Sequence, residues 1–434
     1  MRKETEGLPT PEENVKLSDR TRWPVVLITV AGGIVAALHV GKVSPALPAI
    51  RSDLGLDLVQ GGFVVSMFYV LGMALGLVVG VTADRLGRRA LIAAGFLFMG
   101  LGGVMGSMAD GLPMLLASRF VEGIGFIGTV VAAPALVSAA ASAHDRPLAL
   151  SLWSIFTPAG MALALVAAPP ILSGVGWRGL WLGVAALTVV AVAVIMIATR
   201  GLRMPQPPEG RPWRVAGETL VRPGLLLLSL AFGAYAFQWV TLMVWLPTFL
   251  AADMGATTTA AALLTALIVF LNIPSNVLGG LLLRRGVPRR VLIVGCAALM
   301  GLSAWGIFTP SLGNETRYAL CLVFSFAGGF IPASLFAGVP NHAPSPGHMG
   351  AATGMLMQGS NLGQFVGPPF VAAAVAAAGG SWTGALAPLI GGAVLTMAAG
   401  LLAGHVEGGS RTDEQLRREQ DGAARTPLTQ GGKT

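Results

Sequence analysis

Long apolar runs separated by short polar or basic turns recur along nearly the whole chain, and they lack the period-two alternation of a half-buried strand. Each run reaches the roughly 18 residues a helix needs to cross a hydrocarbon core of about 30 Å. Lipid cannot satisfy backbone polar groups, so uninterrupted apolarity predicts helices, not a barrel. The runs place twelve spans at 23–46, 58–82, 88–108, 112–142, 147–173, 177–199, 223–250, 256–283, 288–310, 317–342, 348–378 and 381–404. The expected fold class is therefore an all-α integral membrane protein.

The pattern repeats. Span two ends in Gly80-Val-Thr-Ala-Asp84-Arg85-Leu-Gly87-Arg88-Arg89, and 200 residues later span eight ends in Gly280-Leu-Leu-Leu-Arg284-Arg285-Gly286-Val-Pro-Arg289-Arg290. Gly160, Ala164 and Ala168-Pro169-Pro170 of span five return as Gly359, Gly363 and Gly367-Pro368-Pro369 of span eleven, displaced by 199. Two six-helix bundles follow, 23–199 and 223–404, joined by a basic linker at 200–222 and flanked by an N-terminal segment 1–22 and a tail 405–434. The tail is rich in Gly, Arg, Glu and Gln without apolar periodicity, which predicts disorder. A parallel repeat of this kind places a solute site between the halves near midplane. Glycines four residues apart, at 72, 76 and 80 and at 359, 363 and 367, predict close helix approach.

Charge fixes the expected orientation. Only 11% of residues are charged, against about 25% in a soluble domain. With the N-terminus cytoplasmic, 23 of the 28 Lys and Arg fall on the cytoplasmic side, and only Arg51, Arg178 and Arg317 fall opposite. The positive-inside rule then puts both termini in the cytoplasm, and the net charge of +8 reflects topology, not nucleic-acid binding. Residues 1–21 show no cleavable signal, so the first span is expected to direct insertion. Cys296 and Cys321 lie within spans and read as packing residues.

The loop at Gly80, Asp84, Arg85, Gly87, Arg88 and Arg89 resembles the GxxxDRxGRR signature of the major facilitator superfamily at every fixed position. Arg119-Phe-Val-Glu122-Gly123-Ile-Gly125 resembles that family's RxxxGxG element, and Trp177-Arg178 another of its common features. The resemblance implies two pseudo-symmetric bundles and a small-solute transporter, and makes the loop a gating motif that stabilises the conformation closed to the cytoplasm. Span five departs from the GxxxGPxxGG of drug exporters, offering Ala164, Ala168, Pro169, Leu172 and Ser173. The tryptophan, proline and polar pattern of spans five and eleven is somewhat similar to the cyanate and nitroimidazole permease branch. In the second copy Arg284 replaces the acid, so a latch would be asymmetric.

Charges within spans are costly and usually face a cavity or a partner. Arg119 and Glu122, three apart on span four, are expected to pair and to face the central cavity. His39 and Lys42, three apart on span one, present a cationic face towards the cavity mouth. These four are the candidates for substrate binding and proton coupling. Cavity-lining candidates are Trp153, Gln238, Gln358, Asn361 and Gln364, with Tyr69, Tyr235, Trp239, Asn272 and Asn276 behind them. The span-eleven trio forms one polar stripe.

The expected function is secondary active transport by alternating access, coupled to protons, with uptake of a small organic or inorganic anion favoured; proton-antiport export of a drug or metabolite is the alternative. No GxxxxGKS/T, HExxH, paired-cysteine or GxSxG pattern occurs, so neither an enzyme nor a cofactor or metal site is expected. The expected partners are a small solute, protons and lipid. A monomer in a bacterial inner membrane completes the reading.

Overall fold

The structure, a computed structural model, describes residues 20–142, 144–202, 212–345 and 348–424, without the side chains of residues 83–86, 147, 151 and 408–424. Its elements are helical: α1 (Trp23–Gly41), α2 (Val43–Leu54), α3 (Leu58–Ser66), a 3-10 turn Met67–Tyr69, α4 (Val70–Leu86), α5 (Arg88–Ser107), α6 (Leu112–Ala140), α7 (Arg146–Ser154) and α8 (Phe156–Ala198). After α9 (Pro212–Leu220) come α10 (Pro223–Ala252), α11 (Thr258–Arg284), α12 (Arg289–Ile307), α13 (Asn314–His342), α14 (Met349–Ala377), a 3-10 turn Trp382–Ala385 and α15 (Leu386–Ala424).

Ten segments among the described residues are long and apolar enough to cross a membrane. One of them, Leu148–Ala198, is two spans, because the chain turns at Gly176 with φ 69° and ψ −177°. Only glycine takes that backbone without strain, so two spans join there without a loop. The remaining traverse is α14, which is not among the ten; its 29 residues, rich in Gly, Gln and Asn, rise about 43 Å at 1.5 Å per residue. Twelve crossings result. The first crossing is longer than its apolar run: α1 continues into α2 with a break at Lys42, where Pro45 supplies no N–H for the Gly41 carbonyl.

Two helical segments at the ends of the halves go beyond the sequence reading. Residues 405–424, expected to be disordered, continue α15. Asp413 with Arg417 and Glu414 with Arg418 stand at i,i+4 with the acid first, a spacing that favours helix without any apolar pattern. Within the linker, residues 212–220 form α9, which packs against α4 and α14.

In the first half α1 packs on α8 and α6, and α5 on α6 and α8; in the second, α10 packs on α14 and α15, and α13 on α11 and α12. The repeat is visible in the backbone: Asp53 in the last turn of α2 corresponds to Asp253 at the end of α10, and Gly55 and Gly255 take φ of 65° and 72°. Between the halves α14 lies along α3 and α4, α11 against α8, and α10 against α2. Ser44 donates to the Val244 carbonyl (2.7 Å) across that seam. A cavity of about 250 Å³ lies on it, between Pro45, Pro169, Leu172 and Ser173 of one half and Thr258, Thr259 and Ala262 of the other.

Helix α9 is strapped beneath the seam. Glu218 accepts from Arg214 (2.7 Å) one turn away and pairs with His348 (2.8 Å) beside the start of α14. Those two bonds hold the Glu218 carboxyl below the usual carboxylate range. Its stabilisation is therefore present at neutral pH and is lost as pH falls through the lowered folded value. Melting temperatures of the native protein and of Glu218→Gln should converge on acidification. Curves that stay parallel would remove the pair from the stability of the strap.

Candidate functional site

Two glycines of α6 position the charged side chains. A side chain on Gly123 would overlap the Phe68 carbonyl of the 3-10 turn, and one on Gly125 the Gly95 carbonyl of α5. Backbone contact on both sides holds α6 between its neighbours and turns Arg119 and Glu122 towards α1.

Glu122 is the hub of four fully buried polar side chains. Its carboxylate pairs with Arg119 and with Lys42 Nζ (2.6 Å), and its Oε1 lies 2.9 Å from His39 Nδ1. Arg119 also donates to the carbonyls of His39 (2.9 Å) and Val64 (3.2 Å), which links α6 to α1 and α3. The cations rest on aromatic faces: Arg119 is 4.5 Å from the Phe68 ring and Lys42 4.5 Å from the Trp181 ring. On its other side His39 Nε2 lies 2.8 Å from Thr188 Oγ1, which is itself 2.8 Å from the Val184 carbonyl. Multiple charge-assisted bonds are what make ionised groups tolerable away from water.

The structure pairs Arg119 with Glu122, as their spacing predicts, and brings His39 and Lys42, expected as a separate face at the cavity mouth, to the same carboxylate; the surroundings of the cluster also differ from the expectation. The contacts of the cluster come from α1, α3, the 3-10 turn Met67–Tyr69, α5, α6 and α8, so it is enclosed in the first six spans and not turned to a cavity between the halves. The reason is small residues: Gly102 and Gly103 of α5 make room for the Glu122 side chain, which the facing helix therefore takes in. Thr188 and Trp181 were not singled out by sequence; a lone Thr and Trp in an apolar span carry no distinguishing signal.

The other candidates separate. Trp153 stacks on Phe156 (4.5 Å) and packs against Gly33, within the first half. Gln238 donates to Ala234 and Thr396 within the second. Gln358 and Asn361 do reach the seam: Gln358 Oε1 accepts from the Leu77 amide (3.3 Å), and Asn361 lies against Gly72. Gln364 donates to Ser360 (3.0 Å). Trp239 donates to Ser325 (3.2 Å), and Asn272 bonds the Ser325 carbonyl and Asn276, with Tyr235 buried nearby. Tyr69 packs edge-on to Phe68. Trp239 stands 200 residues after His39, so the ionic cluster of one half has a neutral counterpart in the other.

At the basic loop, Gly80 meets the Gly350 backbone, Gly87 turns the chain at φ 81°, Arg88 opens α5, and Arg89 donates to Thr199 (3.1 Å) and the Met196 carbonyl (3.1 Å). The side chains of Asp84 and Arg85 lie outside the described residues.

Comparison with known proteins agrees with this architecture. The chain is 28% identical to a lincomycin resistance protein of Streptomyces lincolnensis over 42% of its own length and 38% of the relative's. It is 29% identical to the arabinose-proton symporter of Escherichia coli (strain K12) over 44% and 40%. It thus spans about two fifths of the length of these curated relatives. A bacterial homologue of the human lysosomal transporter Spinster, solved inward-facing and occupied, has the same fold, with a TM-score of 0.72, 18% identity and coverage of 89% of this chain and 98% of that one. Residues 29–368 match the family model described as Major Facilitator Superfamily, and the chain belongs to that family.

Proposed function

We propose that this protein is a proton-coupled secondary transporter that takes up a small anion by alternating access of its two halves. The observation that carries the reading is the contact of His39 Nδ1 with Glu122 Oε1 at 2.9 Å. A carboxylate only accepts, so a proton must sit on one of these two atoms. If Thr188 donates to the Val184 carbonyl, His39 Nε2–H must donate to Thr188, and the pair then holds one proton more than a neutral imidazole and a carboxylate. If the Thr188 hydroxyl turns to Nε2, a neutral imidazole with its hydrogen on Nδ1 suffices. The two orientations of the Thr188 hydroxyl therefore suit two proton counts of the cluster, the extra proton being taken up or released with the turn.

Lys42 and Arg119 outnumber Glu122, which favours an anion nearby. The solute itself passes along the seam, where Gln358 and Asn361 face α4. Arg119 links the two, because it bonds α3 through Val64 and α3 lies against α14. Rocking at the seam then alters the hold on Glu122. The basic loop acts as the latch at the cytoplasmic end, with both termini on that side of a bacterial inner membrane and the monomer as the working unit.

Proteoliposomes given radiolabelled benzoate, nicotinate, nitrate, L-arabinose or lincomycin, with and without an inward proton gradient, test this. At least one anion should accumulate several-fold only with the gradient. Proton-driven export of lincomycin with no anion uptake would replace this reading by the antiport one, which the likeness to a lincomycin resistance protein favours.

A further inference from the structure

Helix α9 is apolar on two opposite sides. Ala216 and Thr219 are buried and Val215 packs on the core, so this side of the helix faces α4, α10 and α14. On the other side Trp213 is 67% exposed and Leu220 47%, and Val221, just past the helix end, is 72% exposed. Trp213, Gly217 and Leu220 follow one another at four and three residues, so they share one face. A helix that turned this face to water would carry polar residues on it. The free side of α9 instead calls for a second apolar partner.

Its position and its charge say which one. Helix α10 starts at Pro223, directly after Arg222, and is among the segments able to cross a membrane, so α9 lies at the level where that span enters its leaflet. It lies on the side of the basic loop, because it pairs with His348 at the start of α14, where Gly350 meets Gly80. Arg214 and Arg222 are exposed beside the apolar face. Arg214 reaches Glu218 through Nε, and its side chain remains 81% exposed. Glu218, the one acid of α9, is engaged by Arg214 and His348. The free surface is thus apolar with a cationic edge.

We propose that α9 is a membrane-surface helix, which sinks Trp213, Leu220 and Val221 into the leaflet on the side of the basic loop and holds anionic phospholipid headgroups with Arg214 and Arg222. Tryptophan suits this level of the bilayer, since its ring is apolar and its N–H can meet the headgroups. Basic residues at the edge of such a face draw anionic lipid, and a guanidinium matches a phosphate with paired bonds. The strap between the halves is then held from both sides, by protein at Ala216 and Thr219 and by lipid at Trp213 and Val221. This assignment is independent of the solute and of proton coupling.

The test places a fluorescent NBD label on the full chain, with Cys296 and Cys321 replaced by Ala, at Val221→Cys, at Trp213→Cys or, as control, at Arg285→Cys in the exposed turn between α11 and α12. Each protein is reconstituted in phosphatidylcholine nanodiscs containing a lipid with a nitroxide near the top of its acyl chain. Labels at 221 and 213 should be quenched about threefold more strongly than the label at 285. Replacing half of the phosphatidylcholine by phosphatidylglycerol should deepen the quenching at 221. Adding Arg214→Gln and Arg222→Gln should abolish that increase and leave the quenching in phosphatidylcholine in place. Val221→Cys keeps Trp213, so the test stands even where Trp213→Cys does not fold. Quenching at 221 no stronger than at 285 overturns the membrane seat, and a label protected from both the nitroxide lipid and aqueous iodide would show that protein covers this face instead. An effect of phosphatidylglycerol that is absent, or that survives the two arginine substitutions, overturns the headgroup assignment.

Discussion

Glu122→Ala is expected to be among the most damaging single substitutions in the protein, and to act on folding before it acts on transport. Lys42, Arg119 and His39 all converge on this one carboxylate at 0–1% exposure. Removing one partner from a buried ion network typically costs about 3–5 kcal/mol, because the opposing charge stays behind without compensation. Melting temperature in detergent and the yield of monodisperse protein should both drop. Pairing the change with Lys42→Met should recover part of the loss, since the surplus cation leaves with the acid, and a double-mutant cycle would measure the coupling. Glu122→Gln separates the roles: it keeps the shape and one accepting oxygen, so a protein that folds but no longer responds to a proton gradient is the expected outcome. A melting temperature unchanged in Glu122→Ala would mean that the cluster is held by its surroundings and not by this acid.

The second large effect is expected at Gly363, in the middle of α14. A Cβ there would overlap the carbonyl oxygen of Gly233 on α10 and crowd the Phe237 amide. Both obstacles are backbone, so no side-chain rotation relieves them, and the helices must part. Overpacking of this kind costs about 1–3 kcal/mol. Gly280→Ala provides the comparison, because nothing lies within 4 Å of its added carbon. A thermal-shift experiment should show Gly363→Ala melting well below the native protein and Gly280→Ala unchanged or slightly above it. Equal melting temperatures for the two variants would show that α10 and α14 separate without cost.

Much of this architecture is legible in the sequence because the bilayer imposes it. Runs of apolar residues, the displacement of 199 to 200 between halves, and the basic turn at Gly87 each follow from a strong constraint. Spacing also shows that Arg119 and Glu122 share a face of α6, and that His39 and Lys42 share one where α1 meets α2. It does not show where those faces point, which is decided by how Gly123 and Gly125 of α6 seat that helix and by the room Gly102 and Gly103 leave on α5. Thr188 is invisible for a related reason: its hydroxyl matters only because of a histidine 149 residues away. Helix α9 and the continuation of α15 were missed because both are polar, and the period that marks a span is absent from them.

The unequal chemistry of the halves has an electrical consequence. With a neutral imidazole, the first half carries one uncompensated positive charge inside the membrane, while its counterpart around Trp239 carries none. A charge that crosses the full membrane potential gains about 2.3 kcal/mol per 100 mV, and one displaced part of the way gains that fraction. On the proposed alternating-access reading, rocking of the first half would therefore move charge through the field even with no solute bound. On that reading, an inside-negative voltage should bias the resting equilibrium towards the conformation that sets Lys42 and Arg119 nearest the negative side, and binding of the proposed proton or anion should change the sum.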